Sequence, residues 1–276
     1  MFTLNCKGKL LVMDKPLVMG IINATPDSFY EGHLNKGAAA ITGLAANMLA
    51  HGADILDIGG QSTRPGSIRI NAEQEIKRVI PVIKAIKNHH PRCIISIDTY
   101  HSKVASAAIH AGADMVNDIS AGNMDAAMLQ TVAALKVPFI AMHLQGSPET
   151  MQQNPVYENA VKEVLDFFIK KTADCKRAGI ADIIIDPGFG FGKTITHNFE
   201  LLKNLSILNM LDKPILVGLS RKATIYKTLH ITAEEALNGS TCLHTIALLN
   251  GASILRVHDV KEAKEAIQLL QAYQKA

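Results

Sequence analysis

Polar residues able to do chemistry recur at the ends of short apolar runs: Asn23, Asp57, Asp98, Asn117 with Asp118, His143, Asp186, Ser220-Arg221-Lys222, and Arg256 with His258. The last two runs supply Arg221, Lys222, Arg256 and His258, a set suited to an anion, most simply phosphate. An Arg fork donates two hydrogen bonds to two oxygens, and a His adds a directional donor. Arg64 in Gly59-Gly60-Gln61-Ser62-Thr63-Arg64-Pro65-Gly66 can join them from a Gly-rich loop that presents backbone N–H groups. A salt-bridge cluster is the structural alternative for these cations.

Asp98, Asn117 and Asp186 each follow several apolar residues. Carboxylates and an amide bordering an apolar floor match a flat, nitrogen-rich heterocycle, because carboxylates accept from ring and amino N–H groups while Asn both donates and accepts. A metal cage competes with this reading, although ligands spread over separate runs without clustered His have no characteristic spacing. Mg2+ bridging phosphate oxygens through Asn23 and water is compatible, since Mg2+ keeps several waters and draws ligands from its substrate. Lys222 suits three roles: hydrogen-bond donor, point charge or Schiff-base nucleophile.

The stretch from Asp186 to Thr194 ends in Gly-Lys-Thr, but Pro187 stands where a P-loop needs its first Gly. Its spaced glycines make instead a pliable loop in which Phe189 and Phe191 alternate, one packing inward and one facing a flat ligand. The segment Thr25 to Lys36, rich in Gly, Pro and Asp, is long enough for a lid over a binding site.

These residues need a scaffold that brings scattered run ends to one place. Nearly continuous apolar runs end at Asn23, Gly60, Tyr100, Ser120, Gly146, Gly188, Ser220 and Asp259, as suits strands of a parallel sheet covered on both faces. Helical stretches lie between them at Gly37–His51, Asn71–Asn88, Ser102–His110, Met124–Leu135, Tyr157–Ala178, Phe199–Leu208, Ala233–Asn250 and Lys261–Tyr273. Asn71 is a cap candidate with Glu73 and Glu75 in the first turn behind it. A single α/β domain over residues 1–276, a (β/α)8 TIM barrel, is the most economical closure, with every polar run end on one rim, the C-terminal ends of the strands. A doubly wound open sheet is the rival, but no G-x-G-x-x-G follows the first strand, and His51-Gly52-Ala53-Asp54 and Ala111-Gly112-Ala113-Asp114 read as helix-ending glycines.

Composition narrows the class. The chain has 276 residues, 48% apolar and 19% charged, with a net charge of +3, which excludes a disordered chain and a strongly basic nucleic-acid binder. No stretch approaches the roughly 18 uncharged apolar residues of a membrane span. The N-terminus lacks a signal-peptide pattern, so the chain is expected in the cytoplasm. Cys6, Cys93, Cys175 and Cys242 lie far apart and are expected as reduced, structural thiols.

With Asn23-Ala24-Thr25-Pro26-Asp27-Ser28-Phe29, the Gly59–Gly66 loop, Asp186-Pro187-Gly188-Phe189-Gly190-Phe191-Gly192-Lys193, Ser220-Arg221-Lys222 and Arg256-Val257-His258-Asp259 in order, the chain resembles the dihydropteroate synthases over nearly its whole length. The resemblance implies a transferase of folate biosynthesis that joins 6-hydroxymethyl-7,8-dihydropterin diphosphate to 4-aminobenzoate with Mg2+, working as a homodimer. Carried onto this sequence, it implies a pterin pocket of Asp98, Asn117, Asp186 and Lys222 walled by Ile119 and Met142. It implies diphosphate contacts from Asn23, Arg64, Arg256 and His258, with Mg2+ near Asn23. Aminobenzoate would lie near Thr63, Pro65, Gly190, Phe191 and Lys222. Lys222, Asp98 and Arg256 would carry the chemistry, with Glu31 of the lid assisting.

The chain departs from the frequent family pattern in three places: the segment Tyr30-Glu31-Gly32-His33, Gln61 in place of Glu, and Ala223 in place of Ser. A methyl-transferring pterin-binding barrel is a second expectation, but it has no use for an anion clamp of Arg64, Arg256 and His258. A pterin carrier without chemistry is a third; it would bind the pterin alcohol as well as its diphosphate.

Overall fold

The structure is a computed structural model that describes residues 1–24, 34–61, 69–148, 150–151 and 153–276, with residues 34–39 described through the backbone alone. The expected lid with Glu31, and Thr63, Arg64 and Pro65, lie outside the described residues.

Two short strands, β1 (Phe2–Cys6) and β2 (Lys9–Met13), form an antiparallel hairpin. Lys7 and Gly8 turn it with φ of 56° and 86°, the positive pair that fits the twist of a two-residue hairpin loop. Eight parallel strands follow: β3 (Leu17–Asn23), β4 (Ile55–Gly59), β5 (Ile94–Asp98), β6 (Met115–Asp118), β7 (Phe139–Met142), β8 (Ile183–Asp186), β9 (Leu216–Val217) and β10 (Ile254–Val257). They pair in the order β8-β7-β6-β5-β4-β3-β10-β9. The ring closes where Ile185 bridges Ile215 in parallel and its N–H donates to the Pro214 carbonyl at 3.0 Å. The expected (β/α)8 barrel is present.

Helices α1 (Leu34–Ala50), α2 (Ala72–His89), α3 (Ser102–Ala111), α4 (Met128–Leu135), α5 (Ala160–Ala178), α6 (Ile195–Lys203), α7 (Ala223–Leu229), α8 (Leu237–Leu249) and α9 (Val260–Lys275) lie between and after the strands. Asn71 caps α2 in a reciprocal box with Gln74: its Oδ1 accepts from the Gln74 N–H at 2.9 Å, and the Asn71 N–H donates to Gln74 Oε1 at 3.2 Å. The stretch expected as one helix over Phe199–Leu208 divides at Asn204 into α6 and a 3-10 helix, Leu205–Leu211. Helix α7, absent from the expected helical stretches, follows Lys222.

The Gly-Ala-Asp repeat does more than end helices. Asp54 Oδ2 accepts the Val18 N–H at 2.8 Å and Asp114 Oδ2 accepts the Ile95 N–H at 2.9 Å, so each aspartate holds its loop to the first residues of the neighbouring strand.

Side chains inside the ring form two tiers. At the amino-terminal end Leu17, Met19, Ile55, Met115, Ile140, Ile184, Leu216 and Ile254 pack together with Leu4, Cys6 and Met13 of the hairpin. The hairpin therefore plugs the bottom of the barrel, and each such buried side chain contributes about 1.5–3 kcal/mol. At the other end register replaces this floor with polar residues: Asp57 sits beside Ser96, Gly59 beside Asp98, Asp98 beside Asn117, and Met142 beside Asp186. Among the described residues no helix is long and apolar enough to cross a membrane.

Candidate active site at the carboxyl ends of the strands

Arg256, on β10, reaches across the barrel mouth. Its Nε donates to Asp57 Oδ2 and its Nη2 to Asp98 Oδ2, both at 2.6 Å. Asn117 Nδ2 donates to the same Asp57 oxygen at 3.0 Å. Asp57 is fully buried, so its charge is held by this guanidinium and amide instead of by water. An Arg carries five N–H donors, so the guanidinium is anchored on two carboxylates and keeps donors for an incoming anion. Asp57 interrupts the apolar run of β4, which marks it in the sequence as a polar run end without saying that it anchors Arg256.

Burial pushes the Asp98 carboxyl upward; Arg256 opposes the shift and Asp57, Asp118 and Asp186 add to it. Burial likewise raises Asp186, against the Lys222 ammonium and the Gly188 N–H, which donates to Asp186 Oδ1 at 2.8 Å. For Arg256 the nearby carboxylates outweigh burial and hold the charge more firmly than usual.

Lys222 stands at the start of α7. Its Nζ donates to the Phe189 carbonyl and lies 4.4 Å from the centre of the Phe191 ring, a cation over an aromatic face. Burial lowers it to about 8, with Asp186 opposing the shift and Arg256 adding to it. Gly218 separates it from Arg256: a Cβ there would lie 3.8 Å from Lys222 Nζ and 3.9 Å from Arg256 Cβ. Gly190 packs on the Lys222 stem, where a Cβ would approach Cδ to 3.2 Å.

Ile119 and Met142, each 4% exposed, cluster with Tyr100, Met124, Leu144 and Phe191 into an apolar wall beside these polar groups. Phe189 is fully buried in the main core while Phe191 stays partly exposed, as their alternation implied. On the opposite flank His258 is exposed and its Nδ1 lies 3.1 Å from Ser220 Oγ. Asn23 ends β3 on the same rim and is exposed.

Three rim residues serve the scaffold instead of the cavity. Arg221, expected on the anion, adopts φ 55° and turns away, pairing through Nε and Nη2 with Asp259 at 2.8 Å each and donating to the Ala233 and Glu234 carbonyls. Asp118 accepts from the Ser120 N–H and Oγ at 2.7 Å and the Gly122 N–H at 2.8 Å, closing the loop after β6. His143 is buried against the Lys193 ammonium at 2.9 Å. Gln61 uses both ends of its amide: Nε2 donates to the Tyr100 hydroxyl and Oε1 accepts from the Ile70 N–H.

The arrangement places acceptors and an amide at the floor, an aromatic-apolar wall on one side and fixed cations across the mouth. Among the described residues no three His, Cys, Asp or Glu side chains form a metal-binding group.

Residues 19–258 match the family model described as pterin binding enzyme. The dihydropteroate synthase of Escherichia coli (strain K12) is 41% identical over 268 residues, covering 96% of this chain and 94% of that protein. A solved structure of the Xanthomonas albilineans dihydropteroate synthase with 4-aminobenzoic acid superposes with a TM-score of 0.92 at 40% identity, covering 99% of this chain and 98% of that one. The same enzyme in complex with 7,8-dihydropteroate gives 0.89 at 38% identity, with 99% of each chain covered. Barrel, mouth and full-length similarity agree, and the chain belongs to the pterin binding enzyme family, among the dihydropteroate synthases.

Proposed function

We propose that the barrel mouth joins 6-hydroxymethyl-7,8-dihydropterin diphosphate to 4-aminobenzoate, giving 7,8-dihydropteroate and diphosphate. The observation that supports the division of labour is Arg256 seated 2.6 Å from both Asp57 and Asp98, so that one side chain joins the cationic flank to the acidic floor. Asp98, Asn117 and Asp186 hold the pterin N–H groups, with Ile119 and Met142 along its faces. Lys222, on the Phe191 ring, borders both the pterin and the aminobenzoate, which Gly190, Thr63 and Pro65 flank. Arg256, His258, Arg64 and Asn23 receive the diphosphate.

The bond between the exocyclic methylene carbon and its oxygen breaks, and both electrons leave on the diphosphate. Fixed donors aimed at that departing oxygen lower the barrier because they need no reorganisation when charge develops. The Asp98 carboxylate, with Glu31, favours the positive charge left on the pterin methylene. The amine nitrogen of 4-aminobenzoate forms the new C–N bond and gives its proton to water.

Asn23 offers a hard carboxamide oxygen, which fits Mg2+ when phosphate oxygens and water complete the shell. When bound there, Mg2+ neutralises charge on the diphosphate.

The chain works in the cytoplasm, in keeping with its free cysteines. It pairs with a second copy through the groove of about 830 Å3 between α8 and α9, beside which Leu249, Leu269 and Tyr273 are 58%, 72% and 74% exposed.

Diphosphate release measured with the pterin diphosphate, Mg2+ and varied 4-aminobenzoate tests the reaction. Release that rises with the amine and falls on chelation is expected. Binding of the pterin alcohol and its diphosphate alike, without release, means a carrier.

A further inference from the structure

Lys193 is 2% exposed, yet no carboxylate touches its ammonium among the described residues. Its three N–H groups meet His143 Nδ1 at 2.9 Å, the Gly188 carbonyl at 3.0 Å and the Phe191 carbonyl at 3.1 Å, with the His143 carbonyl a fourth and longer acceptor at 3.5 Å. While Lys193 is charged its nitrogen has no lone pair, so Nδ1 accepts from it and the imidazole is neutral. Burial lowers His143 to about 3, reinforced by Lys193, and lowers Lys193 itself to about 7. The His143 ring is braced edge-on against Phe167, with centroids 4.9 Å apart.

The loop that Lys193 grips carries the pocket. Gly188 donates its N–H to Asp186 Oδ1, Phe189 gives its carbonyl to Lys222, and Phe191 lies under the Lys222 ammonium. Successive carbonyls thus face two cations, 188 and 191 toward Lys193 and 189 toward Lys222. The loop is also pressed on the chain leaving β7. At Gly188 (φ 70°) a Cβ would lie 2.0 Å from the His143 carbonyl oxygen, and at Gly192 (φ 60°) 2.5 Å from that of Gln145. A Lys in a Gly-Lys-Thr sequence that pointed outward would bind phosphate; this one points into its own loop.

We propose that Lys193 is a positioning residue for the reaction: without touching substrate, it sets the loop on which Asp186 is aimed and the Phe191–Lys222 wall is built. This rests on reading the barrel mouth as the substrate pocket. An apolar side chain of the same length leaves His143 Nδ1 and the Phe191 carbonyl without this donor and the Gly188 carbonyl with only the Phe191 N–H, and the loop must open to reach water.

The test is steady-state kinetics, pterin-alcohol titration and near-UV circular dichroism on wild type, Lys193→Met and His143→Phe. Lys193→Met is expected to lower kcat/KM about 10- to 100-fold, mainly through higher KM for both substrates, and to weaken the alcohol by a similar factor in protein that is still folded. His143→Phe keeps the ammonium, folds if Lys193→Met does not, and is expected to raise both KM values about threefold. KM values and alcohol affinity within about twofold of wild type in either folded variant overturn the proposal, even if melting temperature falls. A wild type that releases no diphosphate overturns the functional reading and this proposal with it, whereas an active wild type with an unchanged Lys193→Met overturns this proposal alone.

Discussion

Arg256 and Asp98 lie 158 residues apart in the chain and 2.6 Å apart in space, with the guanidinium Nη2 donating to the carboxylate Oδ2. Parallel strands with short loops make this contact possible, since every strand delivers its last residues to the same end of the barrel. The same guanidinium neutralises Asp57, so one side chain joins the anion flank to the floor of the pocket.

Removing that side chain should therefore cost stability as well as activity. Arg256→Met leaves the fully buried Asp57 carboxylate with only the Asn117 amide, and is expected to lower unfolding free energy by about 3 kcal/mol in urea titrations. Adding Asp57→Asn should restore part of the stability and none of the turnover.

Lys222 has its ammonium lowered to about 8 by burial, so its charge is lost as pH rises through that value. A pH profile of kcat/KM is expected to fall on that limb. In the residual activity of Lys222→Arg, whose guanidinium stays charged, the limb near pH 8 should vanish.

Much of this site was legible because a polar residue closing a β-branched run is costly unless something uses it. Asp98, Asn117, Asp186, Lys222 and Arg256 all stood out this way and all gather at the mouth. Asp57 showed the same interruption, but which side chain answers a buried carboxylate is settled only by register and reach. Arg221 misled because it adjoins Lys222: a positive φ at that residue sends the two neighbouring side chains to different faces. The hairpin under the barrel was missed because Lys7-Gly8 lacks the usual Asn-Gly signal and its strands are five residues each. Pro187 argues against a P-loop in the stretch that ends Gly192-Lys193-Thr194, yet no spacing distinguishes an ammonium facing solvent from one folded back on its own loop.

The loop after β8 depends on close backbone approach. Gly188→Ala would put a Cβ 2.0 Å from the His143 carbonyl oxygen at a φ of 70°, and is expected to cost about 2 kcal/mol or more in thermal or urea unfolding. Its kcat/KM should fall with it, because Asp186 loses the orientation given by the Gly188 N–H.

Glu75, 1% exposed in the first turn of α2, accepts from Thr99 Oγ1 at 3.1 Å, and burial raises its carboxyl to about 8. The folded protein then binds a proton that the unfolded chain releases near 4.5, so this carboxyl costs stability as pH rises from about 4.5 to about 8. Glu75→Gln is expected to melt higher than wild type at pH 8, with the gap closing toward pH 5. Equal melting curves at both pH values would show that Glu75 does not titrate in this window.

The central claim is that one cavity grips a heterocycle at its floor and an anion at its flank. Calorimetric titration of the pterin alcohol and the pterin diphosphate into wild type, Asp186→Asn and His258→Ala tests it most directly. Asp186→Asn is expected to weaken both ligands by a similar factor, and His258→Ala to weaken the diphosphate while leaving the alcohol unchanged. An Asp186→Asn protein that binds both as tightly as wild type, or a His258→Ala protein that loses both equally, would contradict it.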